Sequence, residues 1–316
     1  MSEQALSSLL VLVIDVNPVW WGQRTEIEDN QLQLCECVDT ALVFANSHLM
    51  LSHMNKLAVI ATHTDRSHFL YPSRKKDISS EGGGDAMATT SAKHDGKYEV
   101  FSQVDEVVRR EIKYLISQNL EGEVAPDCII AGALCMALCY INSLEKECPM
   151  GEKLSSRILV LKGAEDNPSQ YMNFMNAVFT AQKQNVVIDA CVLENDSGLL
   201  QQACDITGGI YLKVPQEAGL LQYLQWLFLT DPSTRGKLTL PPRAQVDYRA
   251  ACFCHRTLID VGYVCSVCLS GELYFPFKSL KSICYINALN VCCSKSTSYV
   301  AKWLYAVIWV CFFLGL

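Results

Sequence analysis

Short apolar runs alternate with longer segments of helical period through the first 230 residues. Leu9–Ile14 (LLVLVI), Lys56–Thr62 (KLAVIAT), Arg157–Leu161 (RILVL), Val186–Leu193 and Gly209–Val214 read as strands. The runs LLVLVI and RILVL leave no polar face, so both sides must be buried, the condition of a parallel strand covered by helices. Between them lie helical stripes. One over 30–53 carries Leu34, Val38, Leu42, Ala45 and Leu49, with Asp29 or Asn30 as N-cap. Others span 102–119 (Val104, Val108, Ile112), 127–145 (Ile130, Leu134, Ala137, Ile141) and 168–184 (Phe174, Met175, Val178). Gly198–Cys204 reads as a short helix and Glu217–Leu229 as the closing one. This alternation predicts an α/β class: a doubly wound, mostly parallel sheet with helices on both faces. Ser67–Tyr71, ended by Pro72, fits an antiparallel edge beside the second strand.

Two stretches break the pattern. Residues 72–98, with Arg74-Lys75-Lys76 and Gly82-Gly83-Gly84, read as a polar loop expected to be disordered. Residues 231–250, with Pro232, Gly236, Pro241 and Pro242, read as a linker. The organisation is therefore a domain at 1–230, a linker at 231–250, a cysteine-rich module at 251–270 and an apolar tail at 271–316. A content of 50% hydrophobic and 19% charged residues can build a sizeable core. A net charge of −7 argues against nucleic-acid binding as a main role, because phosphate contacts need clustered Lys and Arg. The sixteen cysteines are too dilute for a secreted disulfide scaffold, and the acidic start with a short apolar run stopped at Asp15 is not expected to act as a signal peptide. They read as reduced thiols or metal ligands inside a cell.

Most chemistry-bearing motifs are missing. There is no G-x-x-x-x-G-K-[ST], no G-x-G-x-x-G after a strand and no G-x-S-x-G elbow. His48, His53, His63 and His68 are close in sequence but poorly spaced to share a metal, and read as surface or half-buried side chains. No nucleophile–base pair suggests an enzyme.

In an open parallel sheet, ligands sit at the carboxyl ends of the strands. Here the first strand ends in Asp15-Val16-Asn17-Pro18-Val19, and Asn185–Val214 forms a strand–helix–strand unit through an A-x-x-x-T-G-G turn at Ala203–Gly209. Residues 8–230 resemble a von Willebrand factor A (vWA) domain. Many such domains hold Mg²⁺ through Asp-x-Ser-x-Ser after the first strand, with a Thr and an Asp from later loops. Asp15 matches, but the serine positions are Asn17 and Val19, the later Asp falls at Lys162-Gly163, and Cys128–Gly132 holds no hydroxyl. The resemblance therefore implies the fold without its metal, with Asp15 as a helix cap or a strand-end acceptor.

Cys252, Cys254, Cys265 and Cys268 form C-x-C…C-x-x-C with ten residues between the pairs. Four thiolates at short paired spacings suit a tetrahedral structural zinc ion. A vWA-like domain, a Pro-rich linker and CFCHRTLIDVGYVCSVC together resemble the subunit three family of the TFIIH core. That resemblance implies a nuclear, non-catalytic scaffold in RNA polymerase II transcription initiation and nucleotide excision repair. It would dock through its vWA domain onto other TFIIH core subunits, above all the vWA subunit with a RING-like zinc-binding domain. Two other readings are a metal-dependent vWA ligand binder and a RING-type ubiquitin ligase; the second needs eight zinc ligands, and no second set is clear. After Cys268 the chain leaves the family pattern, so the module reads as shortened. Trp303–Leu316 is almost wholly apolar but falls short of the about twenty residues of a bilayer span, so no membrane role is expected.

Overall fold

A computed structural model of the chain describes residues 7–27, 32–72, 97–117, 129–148, 154–167, 170–232 and 234–241, with Val246, Tyr248 and a few short strands between 250 and 287. The chain divides into two compact units, Met1–Ala244 and Gln245–Leu316.

The first unit is built on a six-stranded sheet. Its strands are β1 (Ser7–Asp15), β2 (Lys56–Thr62), β3 (Ser67–Tyr71), β4 (Leu154–Lys162), β5 (Val187–Val192) and β6 (Tyr211–Lys213), in the order β3-β2-β1-β4-β5-β6. All pairings are parallel except that of β2 with β3. The apolar run LLVLVI becomes central because all nine residues of β1 are buried. Successive side chains point to opposite faces of a strand. Leu9, Val11 and Val13 thus meet α4 (Ile130–Glu147), α5 (Tyr171–Lys183) and α6 (Gly198–Thr207). Leu10, Leu12 and Ile14 meet α2 (Leu34–Leu51), α3 (Lys97–Ser117) and α7 (Leu220–Tyr223). Burial of each such Leu, Ile or Val contributes about 1.5–3 kcal/mol. The doubly wound, mostly parallel vWA-like architecture is as expected, including the antiparallel edge strand.

Helix α2 is long and apolar enough to cross a membrane, but Val38, Ala41, Leu42 and Ala45 bury against the sheet, so its hydropathy is that of a core helix. It begins after Gln33, not after Asp29 or Asn30; the Glu36 carboxylate accepts from the Gln33 N–H. Helix α1 (Pro18–Ile27) was not legible, because PVWWGQRTEI has little helical periodicity. Its one signal is Pro18 at the first helical position. The turn at Thr207-Gly208-Gly209 follows from local needs. Gly208 ends α6 in the left-handed region at φ 75°, and a Cβ on Gly209 would stand 1.8 Å from the Ile188 carbonyl oxygen.

The stretch 231–250, with the composition of a linker, begins as part of the domain. Arg235 is buried and places its guanidinium on Asp189 of β5, with Nη1–Oδ1 at 2.7 Å and Nη2–Oδ2 at 2.5 Å. Asp189 Oδ1 also accepts from the Ile210 N–H at 2.8 Å. From the sheet side, Arg157 of β4 donates to the carbonyls of Phe228 (2.7 Å), Leu229 (3.0 Å) and Thr230 (2.7 Å). These carbonyls close the helical segment Leu224–Phe228 that continues α7, where a helix leaves its carbonyls unpaired.

The Arg157 Nη2 also lies 3.4 Å from Nδ1 of His48, which is fully buried. Burial first, and the neighbouring Arg157 charge second, lower the His48 pKa from 6.5 to about 4. As pH falls through 6.5 the unfolded chain takes up a proton that the folded chain refuses, so stability drops between 6.5 and about 4 and is fully present above that window. About 2 kcal/mol should be lost between pH 7.5 and 5 from this group. Urea unfolding at both pH values should show that loss in the wild type and its absence in His48→Gln.

The second unit contains β7 (Ala250–Ala251) paired with β8 (Leu258–Ile259), and β9 (Tyr263–Cys265) between β10 (Gly271–Glu272) and β11 (Ile286–Asn287). Residues 73–96, and the rest of 271–316 beyond those two strands, lie outside the described residues.

Candidate functional site

The carboxyl ends of β1, β4 and β5 form the corner where a vWA domain keeps its ligand site. Strand β1 delivers Asp15 there, and Asn17 turns the chain into α1: its Oδ1 accepts from the Val19 N–H at 3.0 Å, and its carbonyl accepts from the Trp21 N–H at 3.2 Å. Asp15 is 3% exposed. Its Oδ1 accepts from the Asn17 N–H at 3.1 Å, and its Oδ2 accepts from the N–H groups of Gly163 (3.2 Å) and Ala164 (2.9 Å). The Asp15 carbonyl accepts from the Trp21 indole at 2.9 Å. Asp15 is thus a strand-end acceptor that ties the β1–α1 turn to the loop after β4, one of the two roles its position suggested.

The rest of the corner is filled. A Cβ on Gly163 would stand 2.3 Å from the Trp20 ring, so the indole closes directly over that glycine. Trp20 meets Trp21 edge-on at 4.7 Å between ring centroids, and the Arg24 guanidinium sits 4.9 Å from the Trp20 centroid. Arg24 in turn pairs with Glu217 and, at 3.6 Å, with Glu194. Lys162 is buried; its ammonium pairs with Asp166 and lies 3.4 Å from Ser197 Oγ. Ser197 Oγ donates to Asp166 and caps α6 by accepting from the Leu200 N–H.

This donor set does not fit Mg²⁺. A hard cation needs several free oxygens. Both Asp15 oxygens face backbone N–H donors, Val19 brings no oxygen, and a lysine occupies the position of the later Asp. Replacing Gly163 by Ala should push Trp20 off the corner and cost about 1–3 kcal/mol, read as a lowered unfolding midpoint with a shifted Trp fluorescence. Burial first, and Asp15 second, push the nearby Cys37 thiol up to about 12, so this thiol stays protonated at neutral pH.

Two of the four histidines differ from expectation: His48 and His63 are buried, while His53 and His68 are exposed as expected. His63 is a core side chain because its loop folds back, with its N–H bonded to the Arg66 carbonyl at 2.8 Å. Its Nδ1 lies 3.0 Å from Thr64 Oγ1 and 3.2 Å from Asp65 Oδ1. Both contacts fall on one nitrogen, so they cannot relay a proton from nucleophile to carboxylate through the ring, as a triad requires.

Of the four predicted metal ligands, Cys252, Cys254 and Cys268 lie outside the described residues. Cys265 closes strand β9, opposite Ile286 of β11.

The profile of the family described as Transcription factor Tfb4 matches residues 7–275. The chain is 40% identical over 263 residues to the general transcription and DNA repair factor IIH subunit tfb4 of Schizosaccharomyces pombe, with 83% of each chain covered. It is 38% identical over 266 residues to the corresponding subunit TFB4 of Arabidopsis thaliana, again with 83% of each covered. The crystal structure of the TFIIH p34 N-terminal domain superposes with a TM-score of 0.58 at 29% identity, covering 72% of this chain and 100% of that one.

Proposed function

We infer that this chain, which belongs to the transcription factor Tfb4 family, is a subunit of general transcription and DNA repair factor IIH. The observation that carries this is one family profile running from β1 through the domain and past Cys268. The partners are other components of that factor. We propose that the chain is a non-catalytic nuclear scaffold, acting in RNA polymerase II initiation and nucleotide excision repair. The closed strand-end corner supports this. A site plugged by its own tryptophan and hydrogen-bonded to its own backbone offers no bound ion for a ligand to complete, so binding falls to the outer surface of the domain. That geometry disfavours the metal-dependent ligand binder. The proposed neighbour of the domain is the subunit bearing a RING-like zinc-binding module.

Tagged full chain, recovered from nuclear extract, should bring down the other subunits of the factor. Recovery of the chain without them, in folded form, would overturn the reading.

We also propose that Cys252, Cys254, Cys265 and Cys268 hold a structural zinc ion. Four thiolates leave no open coordination position, so such an ion would order the second unit without taking part in a reaction. Cys265→Ser should remove about one equivalent of zinc, measured by atomic absorption, while the first unit keeps its unfolding midpoint. Unchanged zinc content would refute this ligand assignment.

A further inference from the structure

Helix α4 presents Cys135 and Cys139 to solvent, four residues apart. Side chains at that spacing stack one above the other, with Cβ atoms about 5–6 Å apart. The opposite side of the helix, with Ala133, Leu134, Ala137, Leu138 and Ile141, is held in the core, so the pair stays on the surface. Partial burial first, and Cys139 second, hold the Cys135 thiol above its ordinary range.

A disulfide needs Cβ atoms about 3.5–4.5 Å apart. An intact helix does not bring these two that close, so they remain a dithiol. A single soft atom bonded to both sulfurs can span the wider gap, and thiol ligands select soft, thiophilic centres. We propose that Cys135 and Cys139 form a surface dithiol site for trivalent arsenic that carries one further substituent. With an arsenoxide R–As=O, each thiol sulfur forms one bond to arsenic and the bond from arsenic to oxygen is lost. The two thiol protons leave with that oxygen as one water molecule. Arsenic stays trivalent, so no oxidant or reductant is needed. A third protein ligand is not required, because R fills the third position. This matters because no group of three His, Cys, Asp or Glu side chains converges among the described residues.

Helix α2 supplies an internal control. Cys35 is exposed, but Cys37 beside it is buried in the core, so that helix offers one reachable thiol. The full chain would be treated with phenylarsine oxide, then alkylated with iodoacetamide, and the labelling of each cysteine read by peptide mass spectrometry. Alkylation of Cys135 and Cys139 should slow at least tenfold together, that of Cys35 should be unchanged, and a dithiol should restore labelling where a monothiol does not. In Cys139→Ser, a surface change that leaves the core intact, Cys135 should return to within twofold of its untreated rate. Undiminished labelling of the pair, or protection of Cys135 that survives Cys139→Ser, would overturn the proposal.

Discussion

Asp189→Ala should lower the unfolding free energy of the first unit by about 3–5 kcal/mol. The loss comes from what is left behind. Arg235 would keep a buried charge with no carboxylate, and the Ile210 N–H would lose its acceptor. Removing one partner of a buried pair costs more than removing both, because the orphaned charge is still desolvated. Asp189→Leu combined with Arg235→Met should therefore be less destabilised than Asp189→Ala alone. Guanidinium unfolding midpoints of the three proteins test this directly. A loss below about 1 kcal/mol for the single variant, or a double variant worse than the single, would show that the pair is not what holds residues 230–238 on the sheet. Limited proteolysis gives an independent readout, since release of Arg235 should expose the stretch after Thr230 to cleavage.

The same pair explains where the composition misleads. Pro232, Gly236, Pro241 and Pro242 are the residues of a linker, and nothing in DPSTRGKLTLPP shows that Arg235 points inward. A buried arginine becomes visible only with its partner, and Asp189 lies 46 residues away. Arg157 is hidden likewise: in RILVL it looks like the polar boundary of a strand, yet it is buried and caps three carbonyls of the last helical segment. Periodicity reports apolar faces, so the strands, their mostly parallel sheet and the helix layers on both faces were readable, while long-range polar contacts were not. Helix α1 was missed for a related reason. Its tryptophans serve the strand-end corner rather than a continuous apolar stripe, and so break the period of 3.6. At the corner itself more was legible. Val19, Lys162 and Gly163 already spoke against a metal, and Asp15 at the end of its strand was readable as an acceptor. What could not be read was the replacement: Trp20 over Gly163, and Lys162 turned toward Asp166 and Ser197.

That replacement sets the second large effect. If Asp15 served a cation, its removal would empty a site and leave the fold largely intact. Here its two oxygens are the acceptors for three backbone N–H groups in a buried turn, from Asn17, Gly163 and Ala164. Leaving one buried donor unpaired costs about 1–3 kcal/mol. Asp15→Ala should thus cost about 3–5 kcal/mol, allowing for some relaxation of the loop. Asp15→Asn should fall between it and the wild type, because one amide oxygen can still serve Gly163 and Ala164 while the amide NH₂ faces the Asn17 N–H. A bound ion stabilises only the state that holds it. Saturating Mg²⁺ should accordingly leave the unfolding midpoint of the wild type where it was, within the scatter seen with Asp15→Ala. A midpoint that rises with Mg²⁺ in the wild type and not in Asp15→Ala would mean that Asp15 can exchange its backbone donors for a cation, and that the corner is a closed state of a metal site rather than its replacement.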